Sequence, residues 1–179
     1  MATKPHSSPA SRYHRLDGVE HVLRRPDTYV GSLPPAPTAQ WILRDDDGAL
    51  ERREVTASPA LLKIVDEILV NAADNKQRDA ATSRVDVEVD AASGTISVSN
   101  NGRSLPLDAH PTERDGADKP MRIPELVFGS LLSGENFDDD ERRTVGGRNG
   151  LGAKLANIFS TRFEVSLLSD EAAEGGGAR

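Results

Sequence analysis

The chain of 179 residues carries a formal net charge of −7, which gives it no overall electrostatic attraction for a DNA duplex. Because 36% of its residues are hydrophobic and none is cysteine, we expect one soluble globular domain without disulfides or cysteine-bound zinc. No apolar run approaches the roughly 20 residues that cross a bilayer, and the first residues lack the apolar core of a signal peptide, so we expect no membrane partner and an intracellular location.

The amino-terminal residues predict an arm followed by a short helix. Residues 1–11 are rich in Ser, Pro and Ala, a composition typical of a disordered arm. Residues 20–25 predict a short helix that ends at Pro26, and residues 27–31 are expected to enter a strand or a turn.

A hairpin is predicted next. Residues 41–43 and 54–56 have the composition of strands, and the polar turn at residues 45–48 lies between them. Trp41, the only tryptophan in the sequence, is expected in the core or on a face of this hairpin, since an aromatic ring gains most from burial.

A long amphipathic helix is predicted from Ser58, which can cap it, and Pro59, which suits the first helical position. Apolar residues follow at helical spacing, at Leu61, Ile64, Val65, Ile68, Leu69 and Ala72. At about 100° per residue, Glu67, Asn71 and Asn75 share one polar strip. A carboxylate can take a proton from water, and an amide oxygen can hold Mg²⁺ without repelling phosphate. The strip predicts Glu67 as general base and Asn71 as metal ligand; the alternative is an ordinary solvated helix face.

The clearest strand pair follows this helix. Residues 85–89 alternate valine with charged residues, residues 93–94 turn the chain, and residues 96–98 alternate apolar with polar side chains. The pair brings Asn100 to the end of a strand. Residues 100–106 are expected to form a turn, because Asn-Gly is a strong turn signal.

The segments at residues 107–132 and 162–179 carry weaker sequence patterns. Residues 107–121 form a charged connector without a catalytic pattern, and residues 123–132 predict an apolar helix. Residues 162–168 predict a strand, and residues 169–179, rich in Ala, Glu and Gly, predict a disordered tail.

A glycine-dense run at residues 146–154 opens another predicted helix. Such a run lets backbone N–H groups approach phosphate oxygens and places the positive end of a helix dipole behind them. The predicted phosphate-binding residues are Gly147, Arg148, Asn149, Gly150, Leu151, Gly152, Ala153 and Lys154. The run is not a P-loop, because Leu155 stands where a Ser or Thr would hold the metal. A flexible turn is the alternative interpretation.

Several of these segments together resemble the ATPase domain of eukaryotic-type topoisomerase II, a type IIA DNA topoisomerase of the GHKL superfamily. Five blocks resemble the family in the same order, at residues 20–31, 66–79, 100–102, 123–129 and 146–159. The resemblance implies an α/β sandwich with the GHKL (Bergerat) fold, in which helices pack on one face of a mixed, largely antiparallel sheet. It assigns residues 12–168 to the amino-terminal part of that ATPase domain, incomplete at its carboxyl terminus.

The same resemblance implies ATP and Mg²⁺ as cofactors. It places Asn75 in the nucleotide site, Asn100 and Gly102 beside the adenine, and Asn136 near the sugar and phosphates. It also implies that Tyr13 reaches the nucleotide of the other subunit of a homodimer, which forms through the arm and the ATPase domain.

The resemblance further implies a nuclear enzyme that couples ATP hydrolysis to double-strand passage, with DNA held and cut by regions absent from this chain. The chain departs from the family at Ser104, Gly134 and Glu135. Two alternatives remain, a stand-alone GHKL ATPase and a truncated nucleotide-binding piece without chemistry. A stand-alone GHKL ATPase would not be expected to carry residues 75–78 or the block at residues 123–129, which resemble topoisomerase II.

Overall fold

A computed structural model describes residues 13–134 and 150–168 of the chain. The elements in this part are α1 (Gly18–Arg24), α2 (Pro26–Tyr29), β1 (Ala36–Leu43), β2 (Leu50–Ala57), α3 (Pro59–Arg78), β3 (Val85–Asp90), β4 (Thr95–Asn100), β5 (Ala109–Arg114), β6 (Pro120–Arg122), α4 (Ile123–Gly129) and α5 (Gly152–Ile158). The strands pair in sequence order as three antiparallel two-stranded sheets. The described residues therefore contain both helices and antiparallel strands, as the predicted α/β sandwich requires. No helix among the described residues is long and apolar enough to cross a membrane.

Helix α3 begins and ends where local chemistry dictates. The hydroxyl of Ser58 accepts a hydrogen bond from the backbone N–H of Leu61 at 3.2 Å, and Pro59 occupies the first turn, which confirms the predicted start. At the other end, the N–H of Asp79 donates to the carbonyl of Asn75 at 2.8 Å. The apolar face is covered unevenly, since Leu61 remains 51% exposed.

The core lies where α1, α3 and α5 meet. Its buried residues are Val22, Val30, Ala60 and Leu155, and partly buried side chains pack around them, including Ile64, Leu131, Leu151 and Phe159. Burial of this apolar surface is the main favourable term in folding. Because Ala60 belongs to α3 and Leu155 to α5, the core fixes these two helices against each other.

The predicted hairpins are present, with one difference in burial. Strands β1 and β2 extend the predicted segments, and Trp41 pairs with Arg52 across them. Trp41 is 68% exposed, so it lies on a sheet face and not in the core. The pair β3–β4 matches its prediction, with Val87 opposite Val98.

Three local predictions differ from the structure. The segment at residues 27–31, expected to enter a strand or a turn, begins within helix α2, because Pro26 is preorganised for a first helical position, and Val30 then lies in a turn. Residues 107–121 contain β5 and most of β6, a hairpin whose polar strands show no apolar alternation. Residues 162–168 are irregular, since no described strand pairs with them and an unpaired strand leaves its backbone groups unsatisfied. The predicted arm at residues 1–11 and the predicted tail at residues 169–179 lie outside the described residues.

Candidate functional site

The polar strip of α3 carries the first group of predicted site residues. Glu67, Asn71 and Asn75 follow one another at four-residue spacing, so the strip extends about 12 Å along the helix axis at about 1.5 Å per residue. The side chain of Glu67 is 23% exposed, Asn71 is exposed, and Asn75 is half-buried. The strip therefore has a sheltered carboxylate at one end and a sheltered amide at the other.

The carboxylate of Glu67 lies against the first residue of α5. A Cβ added to Gly152 would stand 3.2 Å from Cδ of Glu67 and closer still to Oε2, so a larger residue at position 152 would displace the carboxylate. The other oxygen, Oε1, forms an ion pair with Lys63 one helical turn earlier. This hydrogen bond raises the pKa of Lys63 above its usual value. The carboxylate is thus held between Lys63 and the start of α5.

The described part of the glycine-dense run packs on the chain that precedes it. Gly150 has a φ of +60°, a conformation that favours glycine, and a Cβ there would lie 3.0 Å from the backbone N and C of Ser133. Leu151 follows and contacts the core. The described residues on either side of residues 135–149 therefore lie against each other.

Lys154 is the buried cation of this region. The residue is only 5% exposed, and its Nζ donates to the carbonyl of Ser133 at 2.6 Å. Burial lowers the pKa of this ammonium group, since a low-dielectric environment disfavours its charged form. Its neighbour Ala153 is also buried. Lys154 thus connects α5 to Ser133, the residue that Gly150 also contacts.

The turn after β4 forms the other end of the site. Asn100 is exposed at the end of the strand, and its Nδ2 donates to the carbonyl of Asn101 at 3.0 Å. Gly102 has a φ of +102°, and a Cβ there would stand 3.0 Å from both Cβ of Thr82 and Oδ2 of Asp79. Glycine is required here by backbone conformation and by close approach.

Asn75 connects this turn to α3. Its Nδ2 donates to the hydroxyl of Thr82 at 3.2 Å and to the carbonyl of Asn101 at 3.5 Å. Thr82 is 2% exposed, so its hydroxyl finds its partner inside the protein. The carboxyl-terminal end of the strip is therefore tied to the turn.

Three residues that stabilise this region, Lys63, Asn101 and Asp79, were not predicted from the sequence. Lys63 could have been found from its spacing, because lysine and glutamate four residues apart on a helix are neighbours. Asn101 accepts from the backbone N–H groups of Ser83 and Arg84 at 2.9 and 2.8 Å, and Asp79 accepts from that of Arg103 at 2.7 Å. No local pattern signals these two, because their partners are 17 to 24 residues away.

The remaining predicted site residues are not brought together by the described structure. Tyr13 is 87% exposed, so it makes little contact with the rest of the described chain. Four predicted residues lie outside the described residues, namely Asn136, Gly147, Arg148 and Asn149. Ser104, a departure from the resembled family, is half-buried, and its hydroxyl has no hydrogen-bond partner among the described residues.

Comparison with known proteins decides the family. Residues 56–179, more than half of the chain, match the family described as histidine kinase-, DNA gyrase B- and HSP90-like ATPases. The chain belongs to this ATPase family. The predicted family and its fold class are thereby confirmed, and residues 66–79, 100–102 and 146–159 all lie within the matched region.

Within this ATPase family, the chain is similar to type II topoisomerases. It is 47% identical over 163 residues to DNA topoisomerase 2 from Saccharomyces cerevisiae, covering 91% of this chain and 11% of that protein. It is 50% identical over 159 residues to DNA topoisomerase 2-alpha from Gallus gallus, covering 89% of this chain and 10% of that protein. The chain therefore spans about a tenth of the length of these curated relatives.

Solved structures show the same similarity in three dimensions. The ATPase region of Saccharomyces cerevisiae topoisomerase II superposes with a TM-score of 0.79 at 47% identity, covering 85% of this chain and 39% of that one. The ATPase and transducer domains of DNA topoisomerase II from Balamuthia mandrillaris superpose with a TM-score of 0.80 at 49% identity, covering 86% and 38% respectively. The described elements therefore correspond to part of a topoisomerase ATPase region.

Proposed function

We propose that the chain is the nucleotide-binding part of the ATPase region of a type II DNA topoisomerase. One observation carries this proposal. Helix α3 contacts the start of α5 through Glu67 and Gly152, and it contacts the turn after β4 through Asn75 and Asn101. Two segments that the sequence predicts separately, the turn after β4 and the start of α5, thus adjoin the predicted polar strip of α3, as a shared ligand requires. ATP would lie along the polar strip between them.

Glu67 is proposed as the general base of ATP hydrolysis. Its carboxylate is partly sheltered and is fixed by Lys63 on one side and Gly152 on the other. A carboxylate held in this way can orient a water molecule and accept its proton as the water attacks the γ-phosphate. The chemistry needs little more from the protein than positioning and charge stabilisation.

Asn71 is proposed as the protein ligand of Mg²⁺. Its exposed amide lies one helical turn from Glu67, and its neutral oxygen suits a hard cation that keeps most of its bonds for water and phosphate. When bound, Mg²⁺ neutralises charge on the β- and γ-phosphate oxygens. The exposure and the oxygen donor of Asn71 therefore fit this cation.

The phosphates are proposed to lie beside the glycine-dense run. Gly150, Gly152 and the preceding residues 147–149 would offer backbone N–H groups, and that backbone is held in place because Leu151 packs against the core and Ala153 is buried. The ammonium group of Lys154, bonded to the carbonyl of Ser133, adds positive charge at this end. Asn136 is proposed to contact the sugar and phosphates.

The adenine is proposed to lie at the turn after β4. The amide of Asn100 offers both a donor and an acceptor, which a base edge needs, and Gly102 lets the backbone come close. In a homodimer, Tyr13 is proposed to reach the partner's nucleotide. The complete enzyme is proposed to be nuclear, to hold DNA through other regions, and to use ATP to drive double-strand passage.

A chimeric enzyme tests the proposal and the role of Glu67. This chain would replace the matching region of Saccharomyces cerevisiae DNA topoisomerase 2, to which it is 47% identical. We expect the chimera to hydrolyse ATP, and Glu67→Gln to lower turnover by at least about 100-fold while nucleotide binding remains, because only the proton acceptor is lost. Steady-state ATP turnover and binding of a labelled nucleotide measure the two effects.

The matched control is Glu88→Gln, the same chemical change on the exposed strand β3. This variant should retain the turnover of the unaltered chimera. Unchanged turnover in the Glu67 variant would remove Glu67 from the base role. A folded chimera that binds no nucleotide would contradict the proposed function itself.

A further inference from the structure

We propose that Asp79 is a positioning residue that sets the purine selectivity of the site by fixing the turn at residues 100–103. The inference rests on the proposed function, since it assumes that this turn meets the base. Asp79 follows the last residue of α3 and lies 24 positions from Arg103, the residue that it holds.

Both oxygens of the Asp79 carboxylate are engaged by backbone N–H groups. Oδ1 accepts from Ala81 at 2.9 Å, which closes the chain after α3, and Oδ2 accepts from Arg103 at 2.7 Å. The bonds from Ala81 and Arg103 lower the pKa of Asp79, so the charged form persists at neutral pH. Charge-assisted bonds of this kind are stronger than those between neutral groups.

The chemistry of this contact requires a carboxylate. An asparagine at position 79 could accept only one of the two bonds and would turn its NH₂ group toward the other N–H donor. The space is equally restricted, because a Cβ on Gly102 would lie 3.0 Å from Oδ2. The carboxylate of Asp79 therefore packs closely against Gly102, where a larger residue would displace it.

Asp79 holds the turn at Arg103, and Asn101 holds it separately at residues 83 and 84. The carboxamide of Asn101 accepts from the N–H groups of Ser83 and Arg84. The exposed side chain of Asn100, which donates to the carbonyl of Asn101 at 3.0 Å, is thus presented from a turn fixed on both sides. Loss of the Asp79 contact would free the side nearer Arg103.

Selectivity is the property that distinguishes this role from a purely structural one. Adenine presents a donor and an acceptor on its Watson–Crick edge in the reverse order to guanine, and an amide held in one orientation matches one order only. A turn that moves lets the amide adapt to either base. We therefore expect variants of Asp79 to lose preference for ATP over GTP, beyond any loss in overall affinity.

The test is titration of the ¹⁵N-labelled 179-residue chain with Mg-ATP and Mg-GTP, followed by NMR amide shifts, which report weak binding. We expect Asp79→Asn to weaken ATP binding about tenfold and GTP binding far less, so that the ATP preference falls by about the same factor. Equal weakening for both nucleotides, or no weakening, would overturn the inference.

Asp90→Asn is the matched control. Asp90 also accepts from backbone N–H groups in a turn, from Ala92 at 2.9 Å and Ser93 at 3.3 Å. It pairs with Thr95, at the end of β3–β4 opposite to Asn100. The ATP preference of this variant should stay within about twofold of the unaltered chain.

Two further outcomes are informative. A folded, unaltered chain that binds neither nucleotide would contradict the proposed function and thereby the inference. If Asp79→Asn fails to fold, exchange of the Arg103 amide is measured in the unaltered chain with and without Mg-ATP. Binding and the Asp79 contact must stabilise each other if they are coupled. Slower exchange with ATP would support the inference, and unchanged exchange at saturation would overturn it.

Discussion

The ion pair between Lys63 and Glu67 illustrates how a weak contact can matter at the scale of single residues. The lysine side chain is 46% exposed and the glutamate side chain 23% exposed, and pairs of this kind contribute at most about 1 kcal/mol to stability. Its effect on geometry is larger, because it fixes one oxygen of Glu67 while the other lies beside Gly152. We therefore expect Lys63 to matter for turnover more than for folding.

Replacement of Lys63 tests this expectation. Lys63→Met should leave the free energy of unfolding of the chain within about 0.5 kcal/mol of the unaltered value. It should lower ATP turnover of the chimera about tenfold, because the carboxylate is no longer held. Lys63→Arg, which keeps the charge, should retain most of the turnover. Denaturant unfolding and steady-state kinetics measure the two effects, and equal turnover in all three proteins would contradict the account.

Acid should destabilise the chain through the carboxylates of its turns. Hydrogen bonds from backbone N–H groups lower the pKa of Asp79 below its ordinary value of 3.8. A group whose pKa is lower in the folded state stabilises folding above its unfolded pKa and loses this effect as the pH falls through the folded value. The stability difference between the unaltered chain and Asp79→Asn should therefore be full at pH 6 and shrink below pH 3.8. Urea midpoints across this range test it; a constant difference would contradict it.

At the scale of elements, the junction of α3 and α5 is the feature on which the site depends. The core residues Ala60 and Leu155 hold the two helices together, and Gly152 lets Glu67 lie at the start of α5. A methyl group at position 152 would meet the far end of a flexible side chain. We therefore expect the backbone to stay in place and the carboxylate of Glu67 to move.

Gly152→Ala should separate stability from activity. Gly152 is the first residue of α5 and the added methyl group meets the movable end of Glu67, so the free energy of unfolding should change by less than about 1 kcal/mol. Turnover of the chimera should fall by about a hundredfold, because Glu67 is displaced by about the size of a methyl group. Gly129→Ala is the control, since glycine 129 ends α4 and a Cβ there meets nothing within 4 Å. Thermal unfolding measures the stability of each variant, and steady-state kinetics measure its ATP turnover. A Gly152→Ala chimera with the turnover of the unaltered chimera would contradict this prediction.

Elements with strong local signals were predictable from the sequence. Helix α3 has a cap at Ser58, a proline in its first turn and apolar residues at helical spacing, and β3–β4 alternates regularly around a Ser-Gly turn. The hairpin β5–β6 was not predictable in the same way. It is held by its turn, where Asp115 accepts from Ala117 and Lys119 at 2.9 and 2.8 Å, and its side chains are mostly polar.

The candidate site could be predicted to the extent that its residues lie on one helix. Periodicity alone places Glu67, Asn71 and Asn75 on one strip, and their family resemblance indicates what they bind. The contacts that join the strip to other segments are different, because Asn75 reaches Asn101 across 26 positions. Such distant pairs follow from tertiary packing, which no local pattern encodes.

At the scale of the whole molecule, the described chain holds its site on a small core. Valines at positions 85, 87 and 89 are 44%, 51% and 66% exposed, so the face of β3 is not covered by the described residues. Two-stranded sheets are only marginally stable alone. The helices around Val22 and Leu155 therefore carry most of the packing that keeps α3 against α5.

We expect α3, the turn after β4 and the start of α5 to surround one nucleotide. The most direct measurement is titration of the ¹⁵N-labelled chain with Mg-ATP, observing the amides of Gly102 and Gly152 and the side-chain amide of Asn71. We predict that all three signals shift together with one dissociation constant, and that omission of Mg²⁺ reduces the Asn71 shift most. Shifts confined to one segment, or different dissociation constants for Gly102 and Gly152, would contradict the account.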